Sequence, residues 1–140
     1  MRQAKCTITF VAMAACFAPL AAAAEGDPAG LWRDNERGSV IKVYPCGGGM
    51  CAEVSKPYEA GAKDVNNPNP ALRSRPITGV VILSGAKKSS DNVWKGSLYN
   101  AEDGKNYSGS MTLVSRSELQ LEGCVLGGLF CKSRSWTRVK

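Results

Sequence analysis

Apolar and polar residues alternate in short runs along most of the chain. Ser39 to Pro45 (SVIKVYP) is β-branched and alternating, and Cys51 to Lys56 follows after the Gly47-Gly48-Gly49 turn. Asn92 to Tyr99 (NVWKGSLY) alternates again. Lys105 to Val114 puts Tyr107, Gly109, Met111 and Leu113 on one face and Ser108, Ser110 and Thr112 on the other. Glu118 to Glu122 sets Leu119 and Leu121 inward. A period of two over short segments predicts half-buried strands. Leu31-Trp32 opens the series and Phe130 to Val139 closes it. Ile77 to Leu83 (ITGVVIL) is nearly all apolar, so it predicts a strand buried on both faces. Asp103-Gly104 is a hairpin turn signal. Beyond the first 24 residues no helical stripe exceeds two turns.

About eight short strands joined by tight turns predict an all-β antiparallel meander, a barrel or a sandwich. Closure removes exposed edges, which favours a small β-barrel. Gly96 and Gly109 are the expected bends.

The stretch KDVNNPNPALRSRPITG, Lys63 to Gly79, breaks this pattern. Pro68, Pro70 and Pro76 lack ladder donors, and Asn66, Asn67 and Asn69 suit turns closed by their own side chains. It reads as an ordered loop that caps or crosses one end of the barrel. Long ordered loops on a rigid scaffold are frequent sites of function. Three readings are open. Asp64, Asn66 and Asn69 offer oxygens to Ca²⁺, but the spacing lacks the glycine of an EF-hand and only one ligand is anionic. Arg73 and Arg75 share a side if extended and offer a fork to a carboxylate or phosphate. In the third reading Asp64 and the Asn side chains cap local backbone, the Arg pair binds internal groups, and the loop is structural.

The N-terminus changes the compartment. Arg2 and Lys5 precede an apolar run from Cys6 to Ala24 that ends in Ala22-Ala23-Ala24. This is a signal peptide pattern with cleavage expected between Ala24 and Glu25. Pro19 and the short apolar core argue against a membrane span. Met13-Ala14-Ala15-Cys16 resembles a lipoprotein box, but the residues after Cys16 stay apolar, so a lipoprotein anchored at Cys16 is the lesser alternative. Cleavage after Ala24 leaves 116 of the 140 residues, one domain by length, and removes two cations, taking the formal charge from +6 to +4. The remaining basic residues are scattered, which argues against nucleic acid and leaves weak attraction to anionic envelope surfaces.

Four cysteines survive cleavage, as CGGGMC and CVLGGLFC. An even count in an exported chain predicts two disulfides. Local pairing, Cys46–Cys51 and Cys124–Cys131, is favoured because the ends are already close. A long-range link such as Cys46–Cys124 would constrain the unfolded chain more. The spacings suit neither zinc nor a redox pair, and the chain has no His, which removes Ser-His and Cys-His catalysis and most zinc and copper sites.

Several pieces together carry a resemblance: Gly30-Leu31-Trp32, Tyr44-Pro45-Cys46-Gly47, Asp64-Val65-Asn66-Asn67-Pro68, Arg73-Ser74-Arg75-Pro76 with Gly79, Asp103-Gly104-Lys105-x-Tyr107-Ser108-Gly109, and Phe130-Cys131 with Trp136-Thr137-Arg138-Val139. From Gly30 to Val139 the chain resembles the bacterial exported family called domain of unknown function 2147. The resemblance implies a periplasmic barrel of the lipocalin-like group. In such barrels a Trp on the first strand lies under a cation of the last strand; here Trp32 and Arg138 are the candidates, and their role is structural. Trp136 shares a face with Arg134 and Arg138 by strand period and is read as packing.

The expected function is a non-catalytic periplasmic module binding a small apolar or amphipathic, anionic ligand. Its candidate contacts are Arg73, Arg75, Asp64, Asn66 and Asn67, with no cofactor and no metal. The alternative is an envelope-associated structural or interaction protein with a packed barrel. Without His, the acid–base candidates for an enzyme are Asp64, Asp103, Glu53 and Tyr107, and they form no recognisable pair.

Overall fold

The computed structural model describes residues 26–140, which form a closed antiparallel barrel. The expected signal peptide, its cut before Glu25 and Cys16 lie outside the described residues. Eight strands follow one another in space as in sequence: β1 (Gly30–Asp34), β2 (Val40–Cys46), β3 (Gly49–Lys56), β4 (Val81–Ser90), β5 (Val93–Asn100), β6 (Lys105–Leu113), β7 (Glu118–Val125) and β8 (Phe130–Arg138). β1 closes the barrel on β8 with Trp32 opposite Arg138 and Asp34 opposite Trp136. Each side of every strand is thereby paired, which leaves no open edge.

Alternation sends Trp32, Val43, Ala52, Leu83, Met111, Leu113, Leu119 and Trp136 into one core. Trp94 and Leu121 extend it. On three neighbouring strands the inward positions are glycines in direct register, Gly96 opposite Gly109 and Gly109 opposite Gly123. A Cβ at Gly109 would meet Leu83 and Leu98, and one at Gly123 would meet Leu98 again. The glycine row is thus the bare wall on which these two leucines lie. A Cβ at Gly96 would strike the Ser84 carbonyl, where β4 shifts register between Ser84 and Lys87. The bend expected at Gly96 is therefore a close approach of backbone to backbone.

One expectation is corrected. Ile77 to Leu83 is not a strand buried on both faces: residues 77–80 close the preceding loop, and β4 begins at Val81 and runs on through the polar SGAKKSS. Val81 is exposed while Leu83 is buried. Two backbone bonds with Val54 and the turn bond from Val80 to the Ile77 carbonyl hold the Ile77–Val80 segment as a turn beside β3.

A meander places alternate connections at opposite ends. One end carries the residues before β1, the 47–48 turn and the 114–117 turn. There Arg138 stacks on Trp32 with its guanidinium carbon 4.1 Å from the ring centroid. Its nitrogens donate to the carbonyls of Asp27, Ala29 and Arg116, and the Trp32 indole donates to the Pro28 carbonyl. This end is closed. Cys46–Cys51 clamps the β2–β3 hairpin at the same end, and Cys124–Cys131 clamps the β7–β8 hairpin at the other.

Candidate functional site

The opposite end is the mouth, ringed by the 35–39 turn, the 57–80 loop, the 101–104 turn and the β7–β8 hairpin. The long loop is organised around one carboxylate. Asp64 is fully buried. Its Oδ2 accepts from Asn67 Nδ2 at 2.8 Å and from Arg75 Nε and Nη2 at 2.9 and 2.7 Å, and its Oδ1 accepts from the Tyr99 hydroxyl at 2.6 Å. Burial pushes the Asp64 carboxyl up. The hydrogen bonds from Tyr99, Asn67 and Arg75, with the Arg75 charge, outweigh it and hold the group below the ordinary carboxylate range. Burial, then the bond to Asp64 and its charge, pushes Tyr99 up to about 12.

The other loop residues serve the same frame. Arg73 Nε donates to the Asn67 carbonyl, Asn67 Oδ1 accepts from the Asn69 amide, and Asn69 Oδ1 accepts from the Ala71 amide. Asn66 Nδ2 donates to the Glu102 carbonyl across the mouth. Arg73 and Arg75 therefore turn their Nε atoms to different acceptors inside the loop. Arg73 is exposed, whereas Arg75 is tied to Asp64. A shallow cleft of about 360 Å³ runs along the loop's return, lined by Arg75, Pro76, Thr78 and Val80.

Gly104 locks the loop to the 101–104 turn. Its φ is +69°, and a Cβ would collide with the Asn66 carbonyl oxygen. Gly104→Ala is expected to destabilise the protein by about 2–3 kcal/mol, from left-handed backbone strain plus displacement of the loop. Chemical denaturation read at two probes, one on the loop and one in the core, measures it.

A second, ionic set crosses the opening. Arg134 lies inward on β8, opposite Leu121 and two residues mouthward of Trp136. It reaches Asp34 at 3.2 Å and, on the far side, Glu102 at 3.4 Å, with Glu36 at 4.0 Å. Arg37 joins Glu102 at 2.8 Å and lies over the Tyr58 ring. These pairs bridge β1 and β8 to the β5–β6 turn over the interior. Beneath them the Trp136 indole nitrogen is buried and, among the described residues, has no hydrogen-bond partner. Leu98 and Tyr107, inward on β5 and β6, are only half-buried.

Sequence reasoning singled out Asp64 and Trp136 but missed Arg134, Glu102, Asp34 and Tyr99 as parts of the mouth. The available signal was Arg134 itself, a cation on the inward face of a strand. Of the acid–base candidates, Asp64 is enclosed by donors, Tyr107 donates to Asp103 beside the turn, and Glu53 sits 4.0 Å from Lys42 on the wall. Glu122 lies beside Cys124 and Cys131, but those sulfurs are bonded to each other.

A solved Helicobacter pylori protein, HP1028, described as belonging to the lipocalin family, is similar to this chain. It is 28% identical, with a TM-score of 0.73, over 81% of this chain and 84% of that one. No curated protein sequence matches. A family profile described as an uncharacterized protein conserved in bacteria (DUF2147) matches residues 30–138. With that span and the eight-stranded lipocalin-like barrel, the chain belongs to the domain of unknown function 2147 family.

Proposed function

We propose that the protein is a non-catalytic, extracytoplasmic binding module that takes a small amphipathic, anionic ligand through the mouth. The observation that carries this reading is the buried Trp136 N–H, without an acceptor among the described residues, under a guanidinium held by buried Asp34 and the more exposed Glu102. A buried donor left unpaired is costly, and a ligand oxygen at that point would satisfy it. An anionic head would replace Glu102 on Arg134, since such part-exposed pairs are individually weak. Leu98 and Tyr107 would meet the apolar part. Two disulfides support an oxidising compartment, and no helix among the described residues is long and apolar enough to cross a membrane. The lipocalin-family neighbour supports a small-ligand barrel.

In this reading the loop residues Asp64, Asn66, Asn67 and Arg75 hold the rim, and exposed Arg73, anchored by Nε to the Asn67 carbonyl, offers its charge to an incoming head group. A dansylated undecanoate is the probe. The wild-type protein should enhance its fluorescence, and Trp136→Phe and Arg134→Gln should each weaken binding about tenfold. Arg73→Glu should slow uptake, with stronger effect at low salt. No enhancement by the wild type, together with a bare native mass for protein taken from its own cell, would sink the proposal.

A further inference from the structure

The β7–β8 hairpin ends in Val125-Leu126-Gly127-Gly128-Leu129-Phe130; Val125 and Phe130 share the mouth-facing side of their strands with Gly123 and Arg134, and the apolar side chains of the tip meet water. Leu126 and Leu129 are each 73% exposed and Phe130 is 62% exposed. The tip is doubly unfavourable for the isolated barrel. Four neighbouring apolar side chains meet water, and Leu126 sits at φ 52°, in the left-handed region where glycine or asparagine is the cheaper residue. Cys124–Cys131 staples the base of this turn, so the tip is presented rather than frayed.

Shape and charge select the occupant. The feature is a convex knob with two glycines at its apex, and such a knob is received by a soft apolar phase. Lys132 follows Phe130 on β8 and is exposed. Exposed Lys105 opens β6 three residues before Ser108, the register partner of Cys124. Exposed Lys105 and Lys132 thus stand at the knob's shoulder, with Asp103 beside Lys105 and Glu122 beside the Cys124–Cys131 staple, and the two cations suit anionic head groups above acyl chains. We propose that this hairpin is a membrane-docking finger that inserts Leu126, Leu129 and Phe130 into an anionic bilayer surface. Because the finger stands on the mouth rim, docking turns the mouth toward the lipid. The inference does not depend on the ligand reading.

The test is flotation of the purified, oxidised protein with vesicles of phosphatidylethanolamine and phosphatidylglycerol. Wild type should float with these vesicles at low salt and less at high salt. The variant Leu126→Asn/Leu129→Ser/Phe130→Ser should lose binding about tenfold. Its melting temperature should be no lower than wild type, because Asn tolerates the left-handed backbone at 126. Lys105→Glu/Lys132→Glu should weaken binding to anionic vesicles and leave the weak binding to phosphatidylcholine unchanged. In Phe130→Trp, brominated acyl chains should quench the added indole and spare the three buried ones. The proposal is overturned if wild type stays out of the vesicle fraction at low salt, or if the triple variant floats as well as wild type. It is equally overturned if the tip ignores vesicles and crosslinks to a protein.

Discussion

Replacing Asp64 with alanine should destabilise the protein by about 3 kcal/mol, measured by urea unfolding at neutral pH. The substitution removes one buried carboxylate and leaves four donor groups, on three side chains, without their acceptor. Asn67 and Tyr99 are the donors that suffer, while the Arg75 side chain, 37% exposed, recovers part of its loss from water. The effect should concentrate in the 57–80 loop, which hydrogen exchange would show as lost protection there before the strands change. The pH dependence has a fixed sign. The Asp64 carboxyl is depressed in the fold, so its contribution is complete above the ordinary carboxylate value and disappears as pH falls through the folded one. The gap between wild type and Asp64→Asn should therefore narrow below about pH 4. Tyr99 runs the other way. Its hydroxyl is raised to about 12, so its contribution is complete below its ordinary value of 10.0 and is lost between there and about 12. Wild type and Tyr99→Phe should converge over that alkaline interval. A pH-independent gap in both pairs would show that the network does not carry loop stability.

The second large effect belongs to the closed end. Trp32→Ala should cost about 3–5 kcal/mol in denaturant unfolding, because Trp32 is wholly buried and its removal leaves a cavity at the strand that closes the barrel. The indole also carries the stacked Arg138 and the bond to Pro28. Trp32→Phe keeps a ring for the guanidinium and should lose clearly less, which separates the packing from the polar contacts. Equal losses for the two variants would overturn this division.

The strands were legible where alternation survived. β2, β6 and β7 present one apolar face and one polar face, so period two marks them directly. β4 was misplaced because its inward positions are Leu83 and Ala86 at a bulge, while the polar SGAKKSS has a two-faced sequence that no periodicity marks. The apolar run before it was read as a strand, but hydrophobicity there serves a turn against β3. The disulfides were legible because Cys pairs six and eight residues long close on themselves at hairpins. The mouth was not. Arg134–Glu102 and Asp64–Tyr99 join residues 32 and 35 positions apart, and only the tertiary fold brings them together. A sequence shows which charges exist, but the topology chooses their partners.

Closure by β1 on β8 also sets an order of events. β1 leaves the ribosome, or crosses a membrane, first, and its partner β8 arrives last. Most neighbouring strands pair over short turns, and β3 and β4 over the 57–80 loop, but Trp32 cannot meet Arg138 until β8 has been delivered. Until then the outer edge of β1 and the growing end of the sheet stay unpaired. A chain cut short before β8 would keep seven strands and both open edges, a species suited to pairing with other chains. The five residues of β1 thus leave the barrel open until β8 is present to pair with them.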